Sequence, residues 1–374
     1  MDDDQQHGPG PIGKLPTEIM TKVLSCLPDV ASLKSALVSS PIIFRPCWDQ
    51  KTTIKIRVLF NAIDPGVFPE AVAAYASSKL RGEDGELKDM KAVTLLLHSH
   101  FSRRTMPKKA WTLAEQCEMG QFHVYVADLT KKFNTSIIDS GECTNRVTED
   151  RRVQRALYLF EVFCNVFRRS PSGLRIRYNG EWKNTATRVF FKYFAPWEVE
   201  QLACIRDFRG AYIAPIYTNY WYEIAESYGP LHNEIDGDEI SYVAVSKNAL
   251  CIDKLLSQGL KVFHRFSKTG KLNDLDAMLA FEDGSFCSFL EAVSDYYHEL
   301  DSSDDPSLLE KEPFFDDPTH ITAQNWRREP KRWISYIAHN RCGFADLVRE
   351  LGGLLSDEFP PDDDIDIFLL ANVP

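Results

Sequence analysis

Two histidines, His98 and His100, stand two residues apart in the apolar stretch LLLHSHF, and a metal ion held between imidazoles is the first chemistry such a pair offers. On a helix, residues two apart project about 200° from each other, so the rings cannot readily share one ion, and the expectation is one core and one surface histidine. Asp236-Gly237-Asp238 has the look of a calcium loop. Yet His232 and Glu234 occupy the early ligand positions and Val243 the place of the bidentate glutamate, so the segment reads as a turn. The glycine-rich phosphate loops, the G-x-S-x-G elbow and the H-E-x-x-H zinc motif are all missing from the sequence. Nine cysteines, an odd number with no C-x-x-C pair, read as reduced, buried thiols. Tyr217, Tyr220, Trp221 and Tyr222 combine apolar area with polar tips, which suits a ligand pocket and core packing equally well. The residues therefore point to no catalysis, no cofactor and no metal.

Charge sets the next limits. From Arg146 to Lys192, cations including Arg151, Arg152, Arg155, Arg168 and Arg169 alternate with aromatics including Tyr178, Trp182, Phe190 and Phe191, a mixture that can track a phosphate backbone. The net charge of -11 argues against a whole-protein binder of nucleic acid or anionic membrane, and a solvated helix face balanced by acid elsewhere is the plainer account. A milder version has this patch receive an acidic substrate or the chain's own tails. Nucleic acid is thus not an expected partner. No run approaches the ~18 apolar residues of a membrane span, and the opening MDDDQQHGPGPIG lacks a signal-peptide apolar region. A place inside the cell, cytoplasmic, nuclear or both, is expected. Arg103-Arg104 with Lys108-Lys109 reads as a weak import signal or as loop charge.

The elements that would carry these residues are helices. At 374 residues the chain exceeds the roughly 250 to 300 at which single cores stop growing, so a large domain plus a smaller module is expected. In EDRRVQRALYLFEVFCNVFRR, Val153, Leu157, Phe160, Phe163, Val166 and Phe167 fall on one side, with Thr148 as the candidate cap. APWEVEQLACIRDFRG predicts a helix opened by Pro196 and ended by Gly210, and SFCSFLEAVSDYYHEL another, with Phe286, Phe289, Leu290, Val293, Tyr297 and Leu300 as its stripe. LRIRY (174 to 178) is the sole strand candidate. The fold class is all-α. The plan is a polar tail at 1 to 13, a small module at 14 to 50, and a helical domain at 51 to 355 with an acidic loop at 301 to 320. An acidic tail at 356 to 374 follows.

The module begins with LPTEIMTKVLSCLP. On a helical wheel Thr17, Glu18, Thr21, Lys22 and Ser25 share one arc, and Ile19, Met20, Val23, Leu24, Cys26 and Leu27 the other. Pro16 suits the first helical position, Glu18 can reach back to the Leu15 amide, and Pro28 stops the helix. Asp29 or Ser32 can cap a second helix with Val30, Leu33, Ala36 and Leu37 as its stripe, ended by Pro41. Ile42, Ile43, Phe44 and Trp48 complete a unit of about 35 to 40 residues, too small to be stable alone.

The order Leu15-Pro16-x-Glu18-Ile19, then Val23-Leu24, Leu27-Pro28, Leu33 and Leu37-Val38-Ser39 resembles an F-box, the helical module that docks onto a Skp-type adaptor in cullin ubiquitin ligases. Where that family continues with a basic or cysteine residue and a Trp-Arg pair, this chain has Ser39-Ser40-Pro41-Ile42-Ile43-Phe44-Arg45. Segments such as DPGVFPEAVAAYASSKL are similar to the divergent helical bodies of filamentous-fungal F-box proteins. The resemblance implies an adaptor-binding face of Leu15, Pro16, Ile19, Val23, Leu24, Leu27, Pro28, Leu33, Leu37 and Val38. It also implies a cullin reached through that adaptor, a protein substrate of unstated identity, and action by binding without catalysis. The alternative is a helical scaffold with no ligase role, in which this hairpin is part of the core. Exposure of Ile19, Val23 and Leu24 would favour the first, and full coverage by residues beyond 50 the second.

Overall fold

The computed structural model of the chain describes residues 15–44, 51–81, 90–102, 111–138, 146–167, 189–227, 252–269 and 289–302. Helix accounts for 86% of these residues and no strand or sheet is formed among them, so the fold is all-α as expected. The strand at 174–178, the turn at 236–238, the basic dipeptides at 103–109, Trp48 and the two tails lie outside the described residues.

The chain opens with α1 (Thr17–Ser25) and α2 (Val30–Ser39). Pro16 lies one residue outside α1, at ψ 146°, and its carbonyl accepts from Ile19 and Met20 at 3.0 Å each. No side chain caps this end, so the expected capping box does not form. Asp29 is the cap of α2, its side chain accepting the Ser32 amide at 2.7 Å. Pro41 does more than end α2: it starts a further helical turn at 41–44, the missing N–H costing nothing at that position.

Then come α3 (Lys51–Ala62), α4 (Phe68–Ser78), α5 (Met90–Leu97), α6 (Leu113–Ile138) and α7 (Arg146–Phe167). They are followed by α8 (Pro196–Ser227), α9 (Leu260–Thr269) and α10 (Phe289–Ser302). A capping box that the sequence states as Thr112-x-x-Glu115 starts α6: the Thr112 amide donates to Glu115 at 2.8 Å and the Glu115 amide to Thr112 Oγ1 at 3.2 Å. Two expected boundaries shift. α7 begins at Arg146, ahead of Thr148, and α8 continues through Gly210 and even Pro215. Gly210 is buried mid-helix beside Arg206 and Ile252 and does not mark a stop.

α7 is the axis of the core, packed by α4, α6 and α8. The expected one-sided stripe is buried, but so are Tyr158, Leu159, Val162 and Cys164, so this helix is enclosed nearly all round. Phe163 is the hub, with ring centroids 4.8 Å from Phe167, 4.9 Å from Phe289 of α10, and 5.5 and 5.9 Å from Phe190 and Phe191. Each such pair adds about 0.5–1.5 kcal/mol to the burial of its rings.

Polar groups fix how the helices meet. Gly259, at φ +92°, turns the chain into α9, and Glu161 of α7 accepts the Leu260 amide at 2.6 Å, capping that helix from across the core. A Cβ on residue 259 would stand 2.8 Å from the same carboxylate, so both conformation and space require glycine. Arg206 of α8 and Asp253 form a buried ion pair at 2.6 Å. Arg209, one turn on, is fully buried between the rings of Phe160 and Phe263 and donates to the carbonyls of Leu256 and Gly259 at 3.2 and 3.3 Å.

Candidate docking face

Burial divides the apolar arc of α1 into two stripes four residues apart. Met20 and Leu24 are 3% exposed and join the apolar core, together with Val30, Leu33 and Leu37 of α2. Ile19 and Val23, the parallel stripe, are 42% and 51% exposed, Leu15 just ahead of the helix is 42% exposed, and Val38 on α2 is 81% exposed. Ile42 and Phe44 extend the exposed apolar residues into the next turn, at 42% and 45%. Pro16 and Pro28 are exposed and Leu27 is half-buried. Of the ten residues assigned to the face from the sequence, Leu24, Leu33 and Leu37 are thus committed to the chain's own interior and need correction as contact residues. Their work is to seat the helices that present the others.

The seat is built from α3 and α6. α1 rests on α3, and α2 rests on both. Gly120 of α6 faces α2, where a Cβ would just touch Val30 Cγ2 at 3.4 Å. The end of α1 is held from α3: Asn61 Nδ2 donates to the carbonyls of Ser25 and Leu27 at 2.8 Å each, satisfying groups that the helix terminus leaves without partners. Asn61→Ala is expected to cost about 1–2 kcal/mol locally, at roughly 1 kcal/mol per hydrogen bond. Faster hydrogen exchange confined to the α1 amides would show it, and unchanged exchange would mean that apolar packing alone holds the helix.

Elsewhere the sequence candidates take structural roles. His98 is exposed and His100 half-buried in a π-helical turn (His98–Ser102), where burial lowers the His100 pKa and its Nδ1 lies 3.0 Å from the Leu96 carbonyl. No group of three potential metal ligands occurs among the described residues. Cys164 is buried as expected, but Cys26 and Cys204 are exposed thiols. In the described part of the basic stretch, Arg151 pairs with Asp64 at 2.8 Å, Arg152 pairs with Glu149, and Arg155 donates to the Gly66 carbonyl at 2.8 Å. Arg151 and Arg155 fasten α7 to the turn before α4, the Arg152 pair lies within α7, and Phe190 and Phe191 are core. Tyr217, Tyr220, Trp221 and Tyr222 lie on the last turns of α8.

Titratable groups collect in the seam of α4, α6 and α7. Glu70 is 2% exposed, and burial pushes its pKa up to about 7 against the opposing pull of Arg155. His123 Nδ1 lies 2.8 Å from the Tyr158 hydroxyl, and burial pushes His123 down to about 4 and Tyr158 well up. Near neutral pH the histidine and the phenol are both uncharged. A glutamate set among apolar residues in FPEAVAAY was the sequence signal for Glu70, whereas Asn61 left no local signal at all.

Geometry therefore defines the class as an all-α protein that buries one stripe of its first helix and offers the other to solvent. A scan against protein-family models, a search of curated proteins and a search of solved structures each find no match. Among the described residues no helix is long and apolar enough to cross a membrane.

Proposed function

We propose that the protein recruits a substrate to a Skp–cullin–F-box ubiquitin ligase, docking on the adaptor through the N-terminal helices and making no covalent intermediate of its own. The observation that carries this reading is the exposed pair Ile19 and Val23 on a helix whose other apolar stripe is fixed to the core, with exposed Leu15 just ahead of the helix. An amphipathic helix laid into an apolar groove uses such i, i+4 anchors. Pro16, Pro28 and Val38 border the contact, with Glu18 and Lys22 at its rim. A body held rigidly behind the face would fix substrate lysines near the ligase's charged enzyme, where the gain is effective concentration.

The test uses the exposed residues, because a charge at Leu24 would unfold the seat. Ile19→Asp with Val23→Lys is expected to abolish co-purification with the adaptor, a loss of at least a hundredfold in affinity, while thermal unfolding stays within a few degrees of the parent chain. Undiminished co-purification would remove the ligase reading and leave the scaffold alternative. That alternative draws on one observation: the module's inward residues belong to the same continuous core as the body.

A further inference from the structure

A cavity of about 290 Å³ opens between α4, α6, α7 and α9, and none of its walls comes from α1 or α2. The small side chains Ala71 and Ala74 leave the space, and buried Met119 and Tyr158 form its floor. Aromatic side walls come from Phe122 and Tyr125. The Tyr158 hydroxyl is engaged with His123, and the Asn165 amide with the Ala74 carbonyl and Ser77 Oγ, so the floor carries no charge near neutral pH.

Charge enters at the wall and the mouth. Glu161 and Glu118 are the two carboxylates and Lys261 the one cation among the lining residues. The mouth already accommodates an ammonium group: Lys79 Nζ lies 2.6 Å from Glu118 Oε2 and 5.0 Å from the centroid of the Tyr75 ring. Glu161 is already engaged with the Leu260 amide, so Glu118 is the carboxylate that faces the mouth, and a carboxylate beside aromatic faces attracts a cation with an alkyl stem, the stem against the rings and the charge at the carboxylate. The volume admits one side chain or a short amine and lies at the small end of ligand pockets.

We propose that this cavity binds an alkylammonium group, carried on a lysine side chain of a bound protein or on a free amine, with Glu118 and Tyr75 receiving the charge and Phe122, Tyr125 and Tyr158 the stem. Lys79 then occupies the charge-receiving part of the site when no ligand is present, and a ligand displaces it.

Calorimetry on the full chain at low salt tests this with four probes: Nα-acetyl-lysine methylamide, 1,5-diaminopentane, and their uncharged counterparts Nα-acetyl-norleucine methylamide and pentane. At least one ammonium probe is expected to bind tenfold or more tighter than its uncharged counterpart. Tighter binding of the capped lysine assigns the site to a protein-borne lysine, and tighter binding of the diamine assigns it to a free amine. Glu118→Gln, an exposed substitution, should weaken the ammonium probe about tenfold, and Lys79→Met should strengthen it several-fold by removing the competing ammonium. Equal binding of charged and uncharged probes, no binding by any probe, or no gain from Lys79→Met overturns the proposal.

Discussion

Glu70→Gln is expected to raise the stability of the protein by roughly 3 kcal/mol at pH 8 and to leave it nearly unchanged at pH 4. The folded-state pKa of Glu70 is about 7, against 4.5 for an unburied glutamate. Below pH 4.5 the carboxyl is neutral in both states and costs nothing. As pH rises from 4.5 to 7 the unfolded chain releases the proton that the folded chain keeps, so stability falls, and above 7 the deficit stays constant. Glutamine has the shape of the neutral acid and never ionises. His123 works in the opposite sense: its folded pKa is about 4 against 6.5 unfolded, so its contribution is complete above pH 6.5 and lost as pH falls towards 4. Between about 4.5 and 6.5 the two slopes oppose one another, and His100 and His264, also held below the ordinary histidine value, add to the His123 slope. Glu70→Gln removes the opposing slope, so the variant should lose more stability on acidification than the parent does. Urea denaturation of both chains from pH 4 to 8 measures this, and parallel curves would show that Glu70 ionises as freely as a surface glutamate.

Arg206→Met is expected to destabilise the protein by about 3–5 kcal/mol, the usual cost of leaving one charge of a buried pair alone. Asp253 is 4% exposed, and the guanidinium nitrogens lie 2.8 and 2.6 Å from its Oδ1. Burial by itself lowers the Arg206 pKa, but Asp253, helped by Asp207, outweighs it and leaves the guanidinium above its ordinary value. The cost of the single substitution is therefore mostly that of a stranded carboxylate. Adding Asp253→Leu removes that charge, and the double variant should recover most of the loss, because well-packed apolar pairs replace buried ion pairs at little net cost. Equilibrium unfolding of the three variants completes a double-mutant cycle. A double variant no more stable than Arg206→Met would show that the pair acts through the geometry of its hydrogen bonds and that charge balance is secondary.

Periodicity and capping made much of this fold legible from the residues. Phe289, Val293, Tyr297 and Leu300 are buried along α10 at the spacings that the sequence announces, and Asp29 caps α2. What was not legible depends on partners distant in sequence. The wheel of α1 shows one broad apolar arc, and only the position of α3 decides that Met20 and Leu24 turn inward while Ile19 and Val23 do not. Gly210 carries a stop signal that α8 ignores, because the helix is held there by packing on residues distant in sequence, Arg206 on Asp253 and Arg209 on the carbonyls of Leu256 and Gly259. The Arg206–Asp253 pair joins residues with no local pattern to betray them. For the face proposed from the sequence, Leu24, Leu33 and Leu37 are part of the interior while Ile19, Val23 and Val38 are exposed, a division that the wheel alone does not make.

The enclosure of α7 also has a consequence for how the chain is made. Phe160 and Phe163 leave the ribosome well before Phe190 and Phe191, and long before Phe289, the ring that closes over both at 4.9 Å. At about 5–20 residues per second of synthesis, the side of α7 that carries Phe160 and Phe163 therefore waits several seconds for its cover, although α4 and α6 are already made. For that interval the future centre of the protein is an exposed apolar surface, and a chain that terminates before α10 lacks the ring that closes over it.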